Sequence, residues 1–386
     1  MTSRNTSKPV RNSQGGIMLW HGMTLAGVWR LLRTKPALRW SRLHRVLSLP
    51  VSGLYNSTLA AAESLIYGRR IRQTTVDQAP LFVCGYWRSG TTLLHTLLSR
   101  DPRFQHLRMY QALFPWHFLI SERLVTTLTA PFLPKARPMD NMKVAWDVPQ
   151  EDDMSLCIMS QVSPMMLTAH PQNSRYFWDG IDFNRLIPAE LQRWKDSLRL
   201  LLQKMTFRDS RRIVLKSPGH LYHMPLLQEM FPDARFLVIH RNPYNVFRSS
   251  VHLRRRAIDE NCLGKEPFEG HEQEVINSYR FGIEVLERDR ARIAPHRLYE
   301  IRYEDLEADP GKVLQQVYHE LELPGFDGLM EALQPELASL KRYEKNRFDD
   351  DPHWVNYVYD ELKPIFERYG YEKPRTSVPE SPVSSS

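Results

Sequence analysis

Cysteine is scarce in this chain, and the three cysteines are not grouped in the sequence. Cys84, Cys157 and Cys262 lie far apart, their number is odd, and no CxxC pair occurs. The sequence therefore argues against a disulfide framework and against a cysteine-rich zinc centre. It favours a protein of a reducing compartment, and we expect a cytoplasmic one.

Long apolar runs are also missing. No stretch of about 18 continuously apolar residues exists, although a helix needs one to span a bilayer. The apolar stretch 16–29 carries two Trp, a His and two interior Gly, and no small-residue cleavage site follows cleanly. It therefore does not resemble a secretory signal.

Acidic residues are nearly absent from the first 75 positions, which hold twelve Lys or Arg against Glu63 alone. Because the whole chain carries +8, this basic arm carries +11 and the remainder about −3. The main body is thus not basic in the way that a nucleic-acid enzyme is, and no nucleic-acid partner is expected. Residues 17–67 of the arm, which contain three Trp, can lie peripherally on an anionic membrane or pack as a helical layer. Both interpretations remain open.

From residue 81 onward, short apolar runs alternate with helical stretches. We predict strands at 81–84, 212–216, 234–240 and 299–303, and helices at 91–99, 186–205, 220–230, 244–255 and 271–292. This order predicts an α/β fold: a P-loop-like parallel sheet with helices on both faces, plus an N-terminal helical arm. The expected organisation is a disordered N-terminus (1–16), a basic helical arm (17–75) with helices at 17–33, 37–49 and 53–68, one main domain (76–375) and a disordered tail (376–386).

Residues 85–92 read GYWRSGTT and keep the glycine spacing of a phosphate-binding loop. Glycines let the backbone turn tightly around an anion, and the following helix presents its positive end. Arg88 and the hydroxyls of Thr91 and Thr92 add donors. However, Thr91 occupies the place of the Walker lysine, and no apolar strand ends in the Asp that would hold magnesium. The loop therefore predicts metal-free anion binding, and the plain alternative is a tight turn with an incidental Arg.

Two further predicted strands end in cations, at Lys216 and at His240-Arg241. Ligands of open α/β sheets bind beyond the carboxyl ends of the strands. Together with Arg88, these cations predict a small polyanionic ligand.

The loop and the segment 212–250, RIVLKSPGHLYHMPLLQEMFPDARFLVIHRNPYNVFRSS, together resemble the sulfotransferases that use 3′-phosphoadenosine 5′-phosphosulfate (PAPS). The broad bacterial-type branch, with its GxxRSGTT loop, fits best. Residues 240–250 resemble the 3′-phosphate motif, and 301–310 (IRYEDLEADP) resemble a third family segment. The resemblance covers roughly 80–310 and implies PAPS as co-substrate, no metal, and a hydroxyl acceptor.

The resemblance also implies roles for individual residues. The 5′-phosphosulfate would be held by five loop residues, Arg88, Ser89, Gly90, Thr91 and Thr92. Arg241 and Ser249 would hold the 3′-phosphate, and Tyr303 would flank the adenine. Lys216 and Arg88 carry the positive charge that could stabilise the leaving phosphate.

The general base is less clear, because Pro218 stands where the cytosolic branch of the family has its catalytic His. Glu151 is our first choice, since related branches use a Glu; Asp153 is second and His220 third. Acids at 151–153 could equally stabilise the start of a helix through its dipole. We assign His95 to the core.

The C-terminal Arg-Lys-Gly segment of the cytosolic branch is also missing. Residues 339–348 offer Lys341, Arg342 and Lys345 as substitutes, although a solvated helical face explains them equally well.

Residues 139–166 contain six Met, which suit an apolar acceptor pocket or the filling of a core. They favour an apolar alcohol, a lipid or a phenol over a sugar, and a glycan remains open. Two other functions are considered. A P-loop kinase using Mg-ATP is opposed by the missing Walker residues, and only Pro218 speaks for a non-catalytic nucleotide-binding scaffold.

Overall fold

The structure is a computed structural model that describes residues 18–133, 145–264, 270–340 and 351–374. The predicted disordered ends, 1–16 and 376–386, lie outside these residues, as do Lys341, Arg342 and Lys345. The helices are, in chain order, α1 (Leu25–Arg33), α2 (Leu43–Gln73), α3 (Thr91–Leu98), α4 (Met109–Leu113), α5 (Phe118–Thr129), α6 (Asp152–Ser160), α7 (Arg175–Ile181), α8 (Pro188–Arg208), α9 (Met224–Met230), α10 (Pro243–Asn261), α11 (His271–Arg290), α12 (Tyr303–Ala308), α13 (Pro310–Glu320), α14 (Phe326–Leu340) and α15 (Pro352–Arg368).

Five strands form one sheet in the order β2-β3-β1-β4-β5, and every pair is parallel. The strands are β1 (Leu81–Cys84), β2 (Phe104–His106), β3 (Arg212–Lys216), β4 (Arg235–His240) and β5 (Leu298–Arg302). The predicted α/β fold with a parallel sheet is confirmed. Strand β2 was not predicted, and the last predicted strand ends one residue early, because Tyr303 begins α12.

The central strand β1 shows why helices cover both faces. Its four side chains are all fully buried, and they alternate between two hydrophobic clusters. Phe82 and Cys84 pack on one side with Leu201 of α8, whereas Leu81 and Val83 pack on the other with Leu97 of α3. Successive strand residues point to opposite faces, so a strand that is apolar throughout requires cover on both.

The prediction of two separate helices at 37–49 and 53–68, on either side of Pro50, is wrong, because α2 runs without interruption from Leu43 to Gln73. Proline removes one backbone donor from a helix but leaves the other bonds in place. Packing against α1 supports the helix on both sides of that point. Leu49 is fully buried, and a Cβ on Gly53 would already lie 3.2 Å from Val28.

One face of the arm packs over the main domain, as the helical-layer interpretation predicted. Trp20, Met23 and Leu31 are fully buried and share a cluster with Cys157 and Ile158 of α6. Three methionines of the Met-rich segment also pack against this cluster: Met154, Met165 and Met166. Core filling therefore accounts for these three, and Met139 and Met142 lie outside the described residues.

Within the described parts of the chain, no helix combines the length and the apolar character that crossing a bilayer requires.

Candidate active site

The glycine loop follows β1 directly and lies between β4 and α12. Gly85 and Gly90 have φ angles of +151° and +107°, which glycine adopts at little cost. A Cβ on Gly85 would lie 2.7 Å from the carbonyl oxygen of Ile239, and one on Gly90 would overlap the ring of Tyr303. Both glycines are therefore required by backbone angle and by space.

We expect Gly90→Ala to destabilise the protein and to weaken anion binding, because the new methyl group must displace Tyr303. Gly270→Ala is the matched control, since Gly270 also has a positive φ (+90°) but a Cβ there would meet no atom within 4 Å. That control should cost only the backbone penalty, about 1–2 kcal/mol. Chemical denaturation of both variants measures the difference; equal losses would contradict a close contact between the loop and Tyr303.

Ser89 and Arg88 each have an unusual feature within the loop. The Ser89 hydroxyl is buried and forms no hydrogen bond to any described residue. A buried polar group without a partner costs about 1–3 kcal/mol, and an anion seated in the loop would satisfy it. Arg88 adopts a φ of +67°, a conformation that non-glycine residues rarely take outside functional sites.

A second set of polar groups forms where β4 meets α10. Asn242 caps that helix by accepting from the Tyr244 N–H at 3.0 Å, and Ser249 lies further along it. The Arg88 Nε donates to the Ser249 hydroxyl at 2.8 Å, and Arg241 Nη1 donates to the Arg88 carbonyl at 3.3 Å. The loop and the Arg241–Ser249 pair thus form one continuous site, with the side chain of Arg88 reaching from the first to the second.

Tyr303 lies at the edge of the same site. The Arg241 guanidinium sits over its ring, 4.2 Å from the centroid, and its hydroxyl donates to Glu307 at 2.9 Å. A fixed aromatic ring beside an arginine is suited to hold a planar base next to a phosphate.

Lys216 and Glu151 form a close ion pair on the other side of the loop. The Lys216 Nζ is 2.5 Å from Glu151 Oε1 and 3.4 Å from the Thr92 hydroxyl, and the lysine side chain is buried. Glu151 immediately precedes α6, yet its side chain forms no capping hydrogen bond. It is directed to Lys216, so helix capping does not account for its position.

The other two candidates for the base have different partners. Asp153 Oδ2 accepts from the Ser163 hydroxyl at 2.8 Å, and burial raises the pKa of Asp153 to about 8. His220 Nε2 is 2.8 Å from Asp152 Oδ2, and both side chains are buried. The pair between His220 and Asp152 was missed by sequence reasoning, because 68 positions separate the two residues and no local pattern links them.

His95 is a core residue, as predicted. Its side chain is buried and its Nε2 lies 3.3 Å from the Val214 carbonyl oxygen. Burial holds the pKa of His95 well below its usual value, so the ring is neutral.

Comparison with known proteins identifies relatives that cover nearly the whole chain. Residues 80–328 match a family model described as the sulfotransferase family. The chain is similar to the omega-hydroxy-beta-dihydromenaquinone-9 sulfotransferase Stf3 of Mycobacterium bovis, at 32% identity over 371 residues, which are 96% of this chain and 95% of that protein. The protein of the same name from Mycobacterium tuberculosis matches to the same extent.

Two solved structures share the fold. The crystal structure of sulfotransferase STF9 from Mycobacterium avium has a TM-score of 0.67 and 20% identity, covering 93% of this chain and 94% of that one. For sulfotransferase STF1 from Mycobacterium tuberculosis H37Rv, the TM-score is 0.60 and the identity 20%, covering 88% and 91%.

Proposed function

This chain belongs to the sulfotransferase family, and from that membership we propose which residues carry out its reaction. The protein is an enzyme that transfers the sulfuryl group of PAPS to a hydroxyl acceptor. The kinase and the non-catalytic scaffold are therefore set aside as alternatives.

We propose that the loop residues hold the 5′-phosphosulfate and that Arg241 and Ser249 hold the 3′-phosphate, with Tyr303 beside the adenine. The contact of Arg88 with Ser249 supports this assignment, because it joins the two phosphate positions into one polyanion site. The unpartnered hydroxyl of Ser89 supports it independently. The set of loop residues is Arg88, Ser89, Gly90, Thr91 and Thr92.

The binding proposal predicts that 3′-phosphoadenosine 5′-phosphate, the product of PAPS, raises the melting temperature without magnesium. A ligand that binds only the native state stabilises it by about 2.7 kcal/mol at a hundredfold excess over Kd. Arg241→Ala should lose most of this shift, because it removes a bidentate donor to the 3′-phosphate. Arg199→Ala, which removes an exposed arginine paired with Asp196, is the control. Stabilisation by Mg-ATP alone would contradict the proposal.

We propose that Glu151 is the general base and that Lys216 stabilises the leaving group. The acceptor oxygen forms its bond to sulfur while the bond from sulfur to the bridging phosphate oxygen breaks, and the acceptor proton passes to Glu151. Negative charge then develops on the bridging oxygen, where the Lys216 ammonium can neutralise it. This proposal rests mainly on the 2.5 Å contact between Lys216 and Glu151, because Lys216 also contacts Thr92 and a base and a cation therefore lie next to the loop.

In this proposal Lys216 has one role before PAPS binds and another after it binds. Before PAPS binds, its ion pair holds Glu151 at the site. A phosphosulfate in the loop would compete for the ammonium and leave the carboxylate available to the acceptor. No metal ion is proposed, because Lys216, Arg88 and the helix end of α3 supply the positive charge.

We propose an apolar hydroxyl-bearing acceptor, such as a lipid alcohol or a phenol, over a glycan. The name of the relative Stf3 gives its acceptor as omega-hydroxy-beta-dihydromenaquinone-9. In this chain, Trp87 of the loop packs against Phe177 at 5.6 Å and Tyr222 at 6.1 Å between ring centroids. An aromatic wall beside the phosphosulfate loop suits an apolar molecule. We also propose that residues 17–67 contact a membrane peripherally.

A further inference from the structure

The outer face of α2 carries an apolar stripe that nothing in the described structure covers. Leu47, Val51, Leu54 and Leu65 lie on this face, and we call them the outer stripe. Their exposed fractions are between 59% and 89%. The spacing of four, three and eleven residues keeps all four on one side of a helix. From Leu47 to Leu65 the stripe extends about 27 Å.

The opposite face of the same helix is the one that packs on the protein. Its buried positions include Leu49, Gly53, Asn56, Glu63 and Ile71, again at helical spacing. A helix at the surface of a globular protein normally has polar residues on its outer side. Helix α2 instead exposes three leucines and a valine on its outer side, with the exposed Thr58 between Leu54 and Leu65, and an exposed apolar patch of this kind marks an interaction surface.

Positive charge lies at the end of the outer stripe and is not neutralised. Arg69 and Arg72 are exposed in the last turns of α2, and neither forms an ion pair with any residue that the structure describes. Glu63, the only acid among the first 75 residues, is buried and paired with Lys204. The C-terminal end of the stripe is therefore basic.

Elements next to α2 also expose large apolar side chains. Trp40, just before α2, is 86% exposed, and Leu124 and Leu128 are exposed on α5. Helix α5 packs against α2, since its Leu119 N–H donates to the buried Glu63 carboxylate at 2.8 Å. Tryptophan is enriched where a protein meets the interface of a bilayer.

We propose that the outer stripe of α2 docks on an anionic lipid bilayer, with the helix lying in the plane of the headgroups. Arginines at its end would contact lipid phosphates while the leucines enter the boundary of the acyl chains. The alternative occupant, a second copy of this chain, would bring together two segments 1–75 that carry +11 each, and like charges would oppose it. This inference refines the proposed membrane contact, because it names the face, and it does not depend on which residue is the catalytic base.

The test is co-sedimentation of the full chain with vesicles of phosphatidylcholine and phosphatidylglycerol in equal parts, at low salt. The double variant Leu54→Glu/Leu65→Glu places two charges on the outer stripe and should lower the bound fraction about tenfold or more. Ile187→Glu is the matched control, because Ile187 is equally apolar and 60% exposed but lies outside the arm. It should bind as the unmodified protein does.

Charge is tested separately with Arg69→Gln/Arg72→Gln. Binding should weaken about fivefold for each arginine removed, and vesicles of phosphatidylcholine alone should bind the unmodified protein weakly. A double Glu variant that sediments like the unmodified protein would overturn the proposal. So would a dimer in sedimentation velocity that the same two substitutions abolish, since the stripe would then be an interface between copies.

Activity distinguishes this inference from the proposed chemistry. Turnover of a water-soluble phenol should be the same in the double Glu variant and in the unmodified protein, because the outer stripe faces away from the packed side of α2. Lost vesicle binding with retained turnover supports the docking face. Turnover that falls together with vesicle binding, in a variant whose melting temperature is unchanged, would count against it.

Discussion

Replacing Glu151 with Gln is expected to lower kcat by about 10²–10⁴-fold while the affinity for the PAPS product stays the same. Glutamine has nearly the same shape and can still accept a hydrogen bond from Lys216, but it cannot take the proton of the acceptor hydroxyl. The Glu151 side chain is 20% exposed, whereas Lys216 is buried, so the substitution leaves the ammonium facing a neutral amide oxygen. The melting temperature of the variant is therefore compared with that of the unmodified protein, so that a loss of stability is distinguished from a loss of catalysis. Initial rates of sulfation of a soluble phenol, at saturating PAPS, measure the effect.

Asp153→Asn is the control for this experiment, because Asp153 lies two positions from Glu151 on the same segment. Burial raises the pKa of Asp153 to about 8, so at neutral pH its carboxyl is mostly protonated and resembles an amide. We expect little change in kcat. If Glu151→Gln were as active as Asp153→Asn, the base would have to be sought elsewhere, and His220→Asn would be the next variant.

Replacing Glu63 with Ala is expected to lower the free energy of unfolding by about 3–5 kcal/mol, the usual cost of removing one partner from a buried ion pair. The Lys204 Nζ is 2.6 Å from Glu63 Oε1, and each side chain is only 3% exposed. Lys204 also donates to the Pro115 carbonyl, and Glu63 accepts from the Leu119 N–H. The pair therefore connects α2 to α8 and to the start of α5.

The pKa of Lys204 limits the stability that is lost when Glu63 is removed, because the lysine can lose its proton. Burial lowers it to about 8 even though Glu63 acts in the opposite direction. Without Glu63 the pKa should fall further, and the lysine can then release its proton instead of remaining charged in the core. The loss of stability caused by Glu63→Ala should accordingly be larger at pH 6 than at pH 8, because releasing the Lys204 proton requires more free energy at the lower pH.

Glu229→Ala is the matched control, because it breaks an ion pair with Lys195 on the outside of α8. Glu229 is 70% exposed, and such pairs contribute about 0–1 kcal/mol. Thermal and urea unfolding of the two variants should separate clearly. A loss below about 1 kcal/mol for Glu63→Ala would mean that the arm is held by its apolar contacts alone.

The sheet and the loop could be predicted because their signals are local. Strands β1 and β3 have the predicted bounds, since an apolar run of four or five residues between turn residues identifies a buried strand. Strand β2 has only three residues, Phe104–His106, which is too few for any periodicity. The continuity of α2 through Pro50 could not be predicted either, because helix propensity at a proline is overridden only by tertiary packing.

The candidate site could be predicted as a set of residue types but not as pairs. Arg88 and Ser249 are 161 positions apart, and Lys216 and Glu151 are 65 apart. A sequence pattern identifies which side chains can bind an anion or accept a proton. Which of three neighbouring acids turns to the lysine depends on the start of α6 relative to β3, and this is a property of the packed elements.

The sequence by itself determined the parallel α/β sheet, the place of the glycine loop after its central strand and the basic charge of residues 1–75, because backbone conformation and charge follow from residue type at short range. Tertiary structure alone decided that Glu151 contacts Lys216, that Asp153 and His220 bond elsewhere, and that α2 buries the face with Glu63 while exposing an apolar one. These outcomes depend on contacts between residues far apart in the chain. Such contacts arise only when the helices pack, since burial then selects one partner for each polar group and one face for each helix.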